Sequence, residues 1–166
     1  MTTLIPTIRN MLTALSGMID KAAAHDAAST MMDGRIAEDM LPFATQIRMI
    51  ANFPRQAIST LSPTQLVSNE DDPASLEEAK ARVQETLEML SSVEESTFQS
   101  DDTMVDLELP NGMKFRLSVS DYVRDWVFPN FYFHTSIAYA IMRHKGVELG
   151  KADLVPHMIQ HANMGG

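Results

Sequence analysis

Residues 126–151, WVFPNFYFHTSIAYAIMRHKGVELGK, read as one long helix whose start, buried face and end are all marked. Pro129 suits a first helical turn, where a missing N–H needs no partner, and Gly146 suits the left-handed position just past a helix end. Arg143, His144 and Lys145 place positive charge in the last turn, where it complements the negative end of the helix dipole. Phe131, His134, Ala138, Ile141 and Met142 recur at spacings of three and four, so they share one face. His134 lies inside that face, with Asn130 one turn before it.

Working outward, the period changes ahead of this helix. Val105, Leu107 and Leu109 alternate with acidic residues, and Met113, Phe115 and Leu117 alternate with Lys114, Arg116 and Ser118. Pro110-Asn111-Gly112 between them reads as the turn of a β-hairpin, its acidic strand facing its basic one. Ser120 is placed to cap a short helix over residues 121–127. Earlier still, Ser75-Leu76-Glu77-Glu78 has the capping-box pattern, and Leu76, Ala79, Val83, Leu87 and Leu90 carry a helix to about Val93. A stripe from Ile36 to Leu61 predicts a helix over residues 35–61, with Pro42 near its first turn and Pro54 placed to bend it. Leu4, Ile8, Met11, Leu12, Leu15, Met18, Ile19 and Ala22 predict another over residues 3–28, in which Gly17 is explained by close approach of a neighbouring helix. Asp33-Gly34 reads as a turn and the acidic stretch of residues 62–74 as a solvated connection. The expected architecture is mainly α: one four-helix bundle domain over residues 1–166, a small β-hairpin inserted before the last long helix, and residues 157–166 as a loose tail.

Whole-chain chemistry narrows the function classes. Thirteen Lys and Arg against 22 Asp and Glu give a formal charge of −9, and the basic residues are scattered, which argues against nucleic acid as partner. There is no cysteine, so disulfides, thiolate metal sites and cysteine nucleophiles are excluded, in keeping with a reducing, cytoplasmic setting. No apolar run reaches membrane-spanning length and no secretory leader is recognisable, so no membrane role is expected. The 13 methionines fall mostly on apolar stripes and read as core.

Asp39, Phe43, Gln46, Ile50 and Phe53 fall on one helical stripe, so Asp39 and Gln46 are expected to point inward, where polar groups need partners. Asn130 and His134 are the candidates to meet them, either as a packing cluster or as a ligand site. Asn130, read as lying near a helix N-terminus, offers with His134 a place for the carboxylate of a small anion. His157 and His161 have the spacing of a helical metal pair after Pro156, but read most simply as incidental, as do His25 and His144 near helix ends. No nucleophile with a base and an orienting group is evident.

Three blocks of sequence carry a resemblance. They are Leu4-Ile5-Pro6 through Met11-Leu12 with Leu15 and Asp20-Lys21; Arg35 through Met40 with Gln46 and Ala51-Asn52-Phe53; and Pro129-Asn130-Phe131-Tyr132-Phe133-His134 with Ala138-Tyr139, Arg143, Gly146-Val147, Gly150-Lys151 and Asp153. Together they resemble the DinB/YfiT-like superfamily of four-helix bundles, in a branch of unknown function. The resemblance implies up-down-down-up connectivity, frequent homodimers, and relatives that hold zinc or nickel on three histidines, some of them thiol-dependent transferases or isomerases. Counted back from Gly146, His134 matches one of those histidines, Asn130 stands where a second would be, and Gln46 is the counterpart of the third. The metal site implied for this chain, on His134, Asn130 and Gln46, is therefore degenerate, since amides replace two imidazoles. Asp39, Gln46, Asn130, His134 and Tyr139 are the candidate ligand-binding residues. Three functions remain open at this stage: binding of a small molecule or anion between helices, a divalent-metal enzyme, or a non-catalytic structural homodimer.

Overall fold

Periodicity at three and four becomes burial in α1 (Leu4–Ala23), where Leu4, Ile8, Leu12, Leu15 and Met18 have no exposed surface. The computed structural model describes residues 4–109 and 111–162, and α2 (Phe43–Leu61), α3 (Leu76–Ser91) and α4 (residues 119–144) complete a four-helix bundle. A two-stranded antiparallel hairpin, β1 (Met104–Glu108) and β2 (Lys114–Ser118), is inserted before α4. Its register sets Val105 opposite Leu117 and Leu107 opposite Phe115, with Asp106 opposite Arg116 and Glu108 opposite Lys114, so the acidic strand does face the basic one. Pro110 of the expected turn lies outside the described residues, as do Thr3 and residues 163–166. A single turn, α5 (Lys151–Leu154), and a 3-10 helix over Pro156–His161, which packs on α1, close the described chain.

Side-chain bonds at the helix ends give the direction of each helix. Ile5 N–H donates to Glu95 and Arg9 reaches the Leu90 carbonyl, so the start of α1 lies at the end of α3 and the two run antiparallel. Gln99 donates from its backbone to Leu61 and from its side chain to Thr60, which puts the ends of α2 and α3 together. These two helices are parallel. Tyr122 near the start of α4 bonds Thr60 at the end of α2, while Lys145 at its other end bonds Thr30 beyond α1. Helices α1 and α4 thus run up and α2 and α3 down. Parallel neighbours need a connection that travels a helix length, and residues 62–75 do so pinned along α2: Leu66 to Ser59, Asn69 to Asn52, and Asp72 to both Thr45 and Arg48. The acidic run expected to be solvated therefore contributes Asp72 to this anchoring.

Several local expectations give way to specific chemistry. Helix α1 ends at Ala23 because His25 turns extended and its Nδ1 accepts the Ala27 N–H, capping a 3-10 helix over Asp26–Thr30. Helix α2 begins at Phe43 because Pro42 disfavours helical geometry at the residue before it; Pro42 is the N-cap and residues 35–42 form turns. Pro54 remains inside α2. Ser118, not Ser120, caps the helix that leads into residues 126–151, and that helix does not start at Pro129. It runs on from Val119 through a π-helical stretch, Tyr122–Val127, where the Phe128 N–H reaches back five residues to Val123 and Pro129, which has no N–H, follows at once. Gly146 does take the left-handed position, φ 92°, and with Val147 N–H bonded to Met142 O and Gly146 N–H to Arg143 O it forms a Schellman end. Gly17 is not a close-approach glycine, for nothing lies within 4 Å of a Cβ built there. Gly34 is: a Cβ there would meet Ile141 and the Met31 carbonyl at 2.9 Å.

Candidate functional site

Gln46 leaves the first turn of α2 on its inner face, and His134 sits midway along α4 on the face turned to α2. Both are buried, at 1% and 6% exposure. His134 Nδ1 and Gln46 Oε1 are 2.7 Å apart, and Gln46 Nε2 donates to the Leu41 carbonyl at 3.0 Å. This short chain orients itself. A backbone carbonyl only accepts, so the amide N–H must face Leu41 and the amide oxygen must face His134; the oxygen only accepts in turn, so the imidazole proton is on Nδ1. Reversing the amide would set acceptor against acceptor at Leu41, where an unsatisfied buried polar group costs about 1–3 kcal/mol.

Two aromatic side chains contact the ring. Phe53 stacks on it with centroids 5.5 Å apart, and Phe133 meets it edge-on at 5.2 Å. Phe53 is buried while Phe133 is 53% exposed, so the first is the inner wall and the second stands at the surface. Burial among these groups lowers the His134 pKa to about 4, keeping the ring neutral at pH 7. Its Nε2 enters no hydrogen bond among the described residues, which leaves an unused lone pair on a ring that is not fully sealed.

The other expected residues stand apart from this pair. Asp39 lies in the exposed turn before Pro42, because the helix that would have turned it inward starts four residues later. Asn130, half-buried, is one turn from His134, but its Nδ2 donates to the Trp126 carbonyl of its own helix at 2.7 Å. Since α4 continues back to Val119, Asn130 is not at a helix N-terminus and no free N–H groups cradle a carboxylate there. Tyr139, half-buried, is rotated roughly 140° around the helix from His134 and packs against the core instead. His157 sits in the 3-10 helix with Nδ1 buried and unpartnered, and His161 contacts Gln160. Among the described residues no group of three or more His, Cys, Asp and Glu is placed to hold a metal ion. Gln46 has both amide atoms engaged and Asn130 its nitrogen, so the expected trio offers one imidazole nitrogen and one amide oxygen. These residues do not fit a zinc or nickel ion as a three-ligand site.

Sequence reasoning missed the Leu41 carbonyl, since a backbone partner carries no residue signature, and the edge-on Phe133, which has no place in an apolar stripe. It also gave no sign of a cleft of about 450 Å³ at the end of the bundle where α1 and α4 finish, lined by Lys21, Ala24, His25, Gly146, Val147 and Glu148. None of the five candidate residues lines it.

Comparison with known proteins agrees with the architecture. Residues 1–155 match the model of a family described as "Domain of unknown function (DUF1993)". Among solved structures, the crystal structure of a DinB family member protein from Shewanella denitrificans superposes with a TM-score of 0.77 at 24% sequence identity, covering 91% of this chain and 88% of that one. At that identity the likeness is one of fold. No curated protein matches.

Proposed function

The chain belongs to the DUF1993 family and has the DinB fold, and from that premise we propose that it is a small-molecule-binding protein whose contact atom is His134 Nε2. One observation carries the reading: a neutral, barely exposed imidazole with Nδ1 tied down by Gln46 and Nε2 unspent among the described residues. The ring is fixed in a single tautomer against two aromatic side chains, one of them at the surface, so Nε2 is a defined acceptor for a ligand that reaches it. Such walls bury the apolar part of a ligand, while a single polar contact orients it. No reaction is assigned to the site, because among the described residues no second titratable group is bonded to His134.

The test is a fragment screen by saturation-transfer NMR on the wild-type chain, each binder then being re-measured on His134→Ala. Binders at this site are expected to weaken by about tenfold or more, the worth of one hydrogen bond and its packing. A screen whose binders all survive the substitution unchanged would remove the proposal. Elemental analysis of protein purified without a histidine tag, before and after exposure to zinc and nickel, runs beside it, and one ion per chain lost with His134 would favour a metal-dependent role instead.

A further inference from the structure

We propose that Gln46, anchored on the Leu41 carbonyl, fixes His134 as a hydrogen-bond acceptor and thereby restricts the site to ligands presenting an N–H, O–H or S–H group, against carboxylates and other anions. The inference rests on the reading of His134 as the ligand contact and adds to it the chemical class of the ligand. The order of causes runs inward from the loop. Leu41 belongs to the connection between α1 and α2, whose backbone is stapled by the Gly34 carbonyl accepting from Phe43 N–H and by Arg35 donating to the carbonyls of Glu38 and Met40. The fixed Leu41 carbonyl takes the Gln46 amide N–H at 3.0 Å, and the amide oxygen then takes the Nδ1 proton of His134 at 2.7 Å. Nε2 is left with its lone pair unspent among the described residues.

An anion approaching Nε2 meets that lone pair. To become a donor there the ring must gain a second proton between Phe53 and Phe133, where a charge is poorly solvated, or give up Gln46. Asn130, one turn away, spends one amide N–H on Trp126 and keeps its oxygen and its second N–H, so it adds no fixed polarity of its own. The acceptor preference of the site therefore rests on His134 Nε2. Gln46 is a positioning residue: it reaches the ligand only through the imidazole. Its role calls for a side chain that donates at one end and accepts at the other across the span from Leu41 to His134, which neither an aliphatic side chain nor the shorter asparagine provides.

The experiment reads the ring directly and needs no ligand to begin. Nitrogen-15 NMR of the histidine side chains in the full chain at neutral pH is expected to show Nδ1 of His134 as a protonated nitrogen and Nε2 as one carrying a lone pair. In Gln46→Met, and independently in Gln46→Asn, the proton is expected to move wholly or partly to Nε2. Phenol, anisole and benzoate then serve as probes of matched size: phenol should bind wild type about tenfold more tightly than the other two, and the preference should collapse in both variants. A wild-type ring protonated at Nε2, variants with the wild-type ring pattern, or benzoate bound as tightly as phenol would each overturn the proposal. The expected ring patterns without binding of any probe would uphold Gln46 as the residue that sets the tautomer and overturn His134 as a ligand contact.

Discussion

Acidification should weaken the fold through one residue, and the amount follows from its surroundings. His134 has an ordinary pKa of 6.5 when the chain is unfolded and about 4 when buried, and desolvation is the cause. The folded state thus binds the proton less readily than the unfolded state. Stability is fully present above pH 6.5, falls as the pH drops from there toward 4, and levels off for this group below 4. From pH 7 to pH 5 the loss is about 2 kcal/mol, and the whole window amounts to about 3 kcal/mol, a large part of the 5–15 kcal/mol typical of a domain. Urea unfolding at half-unit steps from pH 7 to pH 4.5, on wild type and on His134→Phe, isolates the effect, because the remaining titrating groups are common to both. The wild-type curve should fall through this window by about 2 kcal/mol more than the variant's. Added salt should leave that difference standing, since its origin is burial and not an ion pair. Parallel curves for the two proteins would show that His134 is solvated in the folded state and would undo the argument for a neutral, tautomer-fixed ring.

Other consequences are as direct. Asn52→Ala strips both backbone groups of Asn69 of their partner, as Asn52 Oδ1 accepts from Asn69 N–H and its Nδ2 donates to Asn69 O. A loss of about 1–3 kcal/mol is expected in chemical denaturation, and a change within error would mean that water replaces the side chain. Gly34→Ala and Gly17→Ala should move melting temperature in opposite directions. The first forces a Cβ against the Met31 carbonyl, whereas the second adds helix propensity of about 1 kcal/mol at an open site. Gly146→Ala places an alanine at φ 92° and should destabilise by about 1 kcal/mol or more, read from the same thermal scans. Desalting after incubation with zinc or nickel should leave well under one ion per chain, measured by elemental analysis, because the donor set lacks a third ligand.

What the sequence determined by itself is whatever depends on residues close along the chain. The spacing of Leu4 through Ala22, the Ser75 cap, the alternation on either side of Asn111-Gly112 and the basic turn before Gly146 are local codes, and each yields its element because hydrogen bonds and side-chain faces repeat with fixed period. An inward Gln46 and an inward His134 were legible for the same reason, as polar residues on apolar stripes. Their junction was not. That Gln46 spends its oxygen on His134 and its nitrogen on Leu41 depends on how α2 lies against α4 and on where a turn leaves one carbonyl. Asp39 was misread because two competing local signals, a helical stripe and the proline after Leu41, are weighed by packing, and the proline prevailed. Pro129 likewise has two solutions, a helix start or a π-helical widening, and the second holds because Val119, Tyr122, Val123 and Val127 are buried on the bundle side of the extended helix. Tertiary structure also decided which glycine a neighbour needs, choosing Gly34 over Gly17, since close approach belongs to two surfaces and a sequence states only one of them at a time.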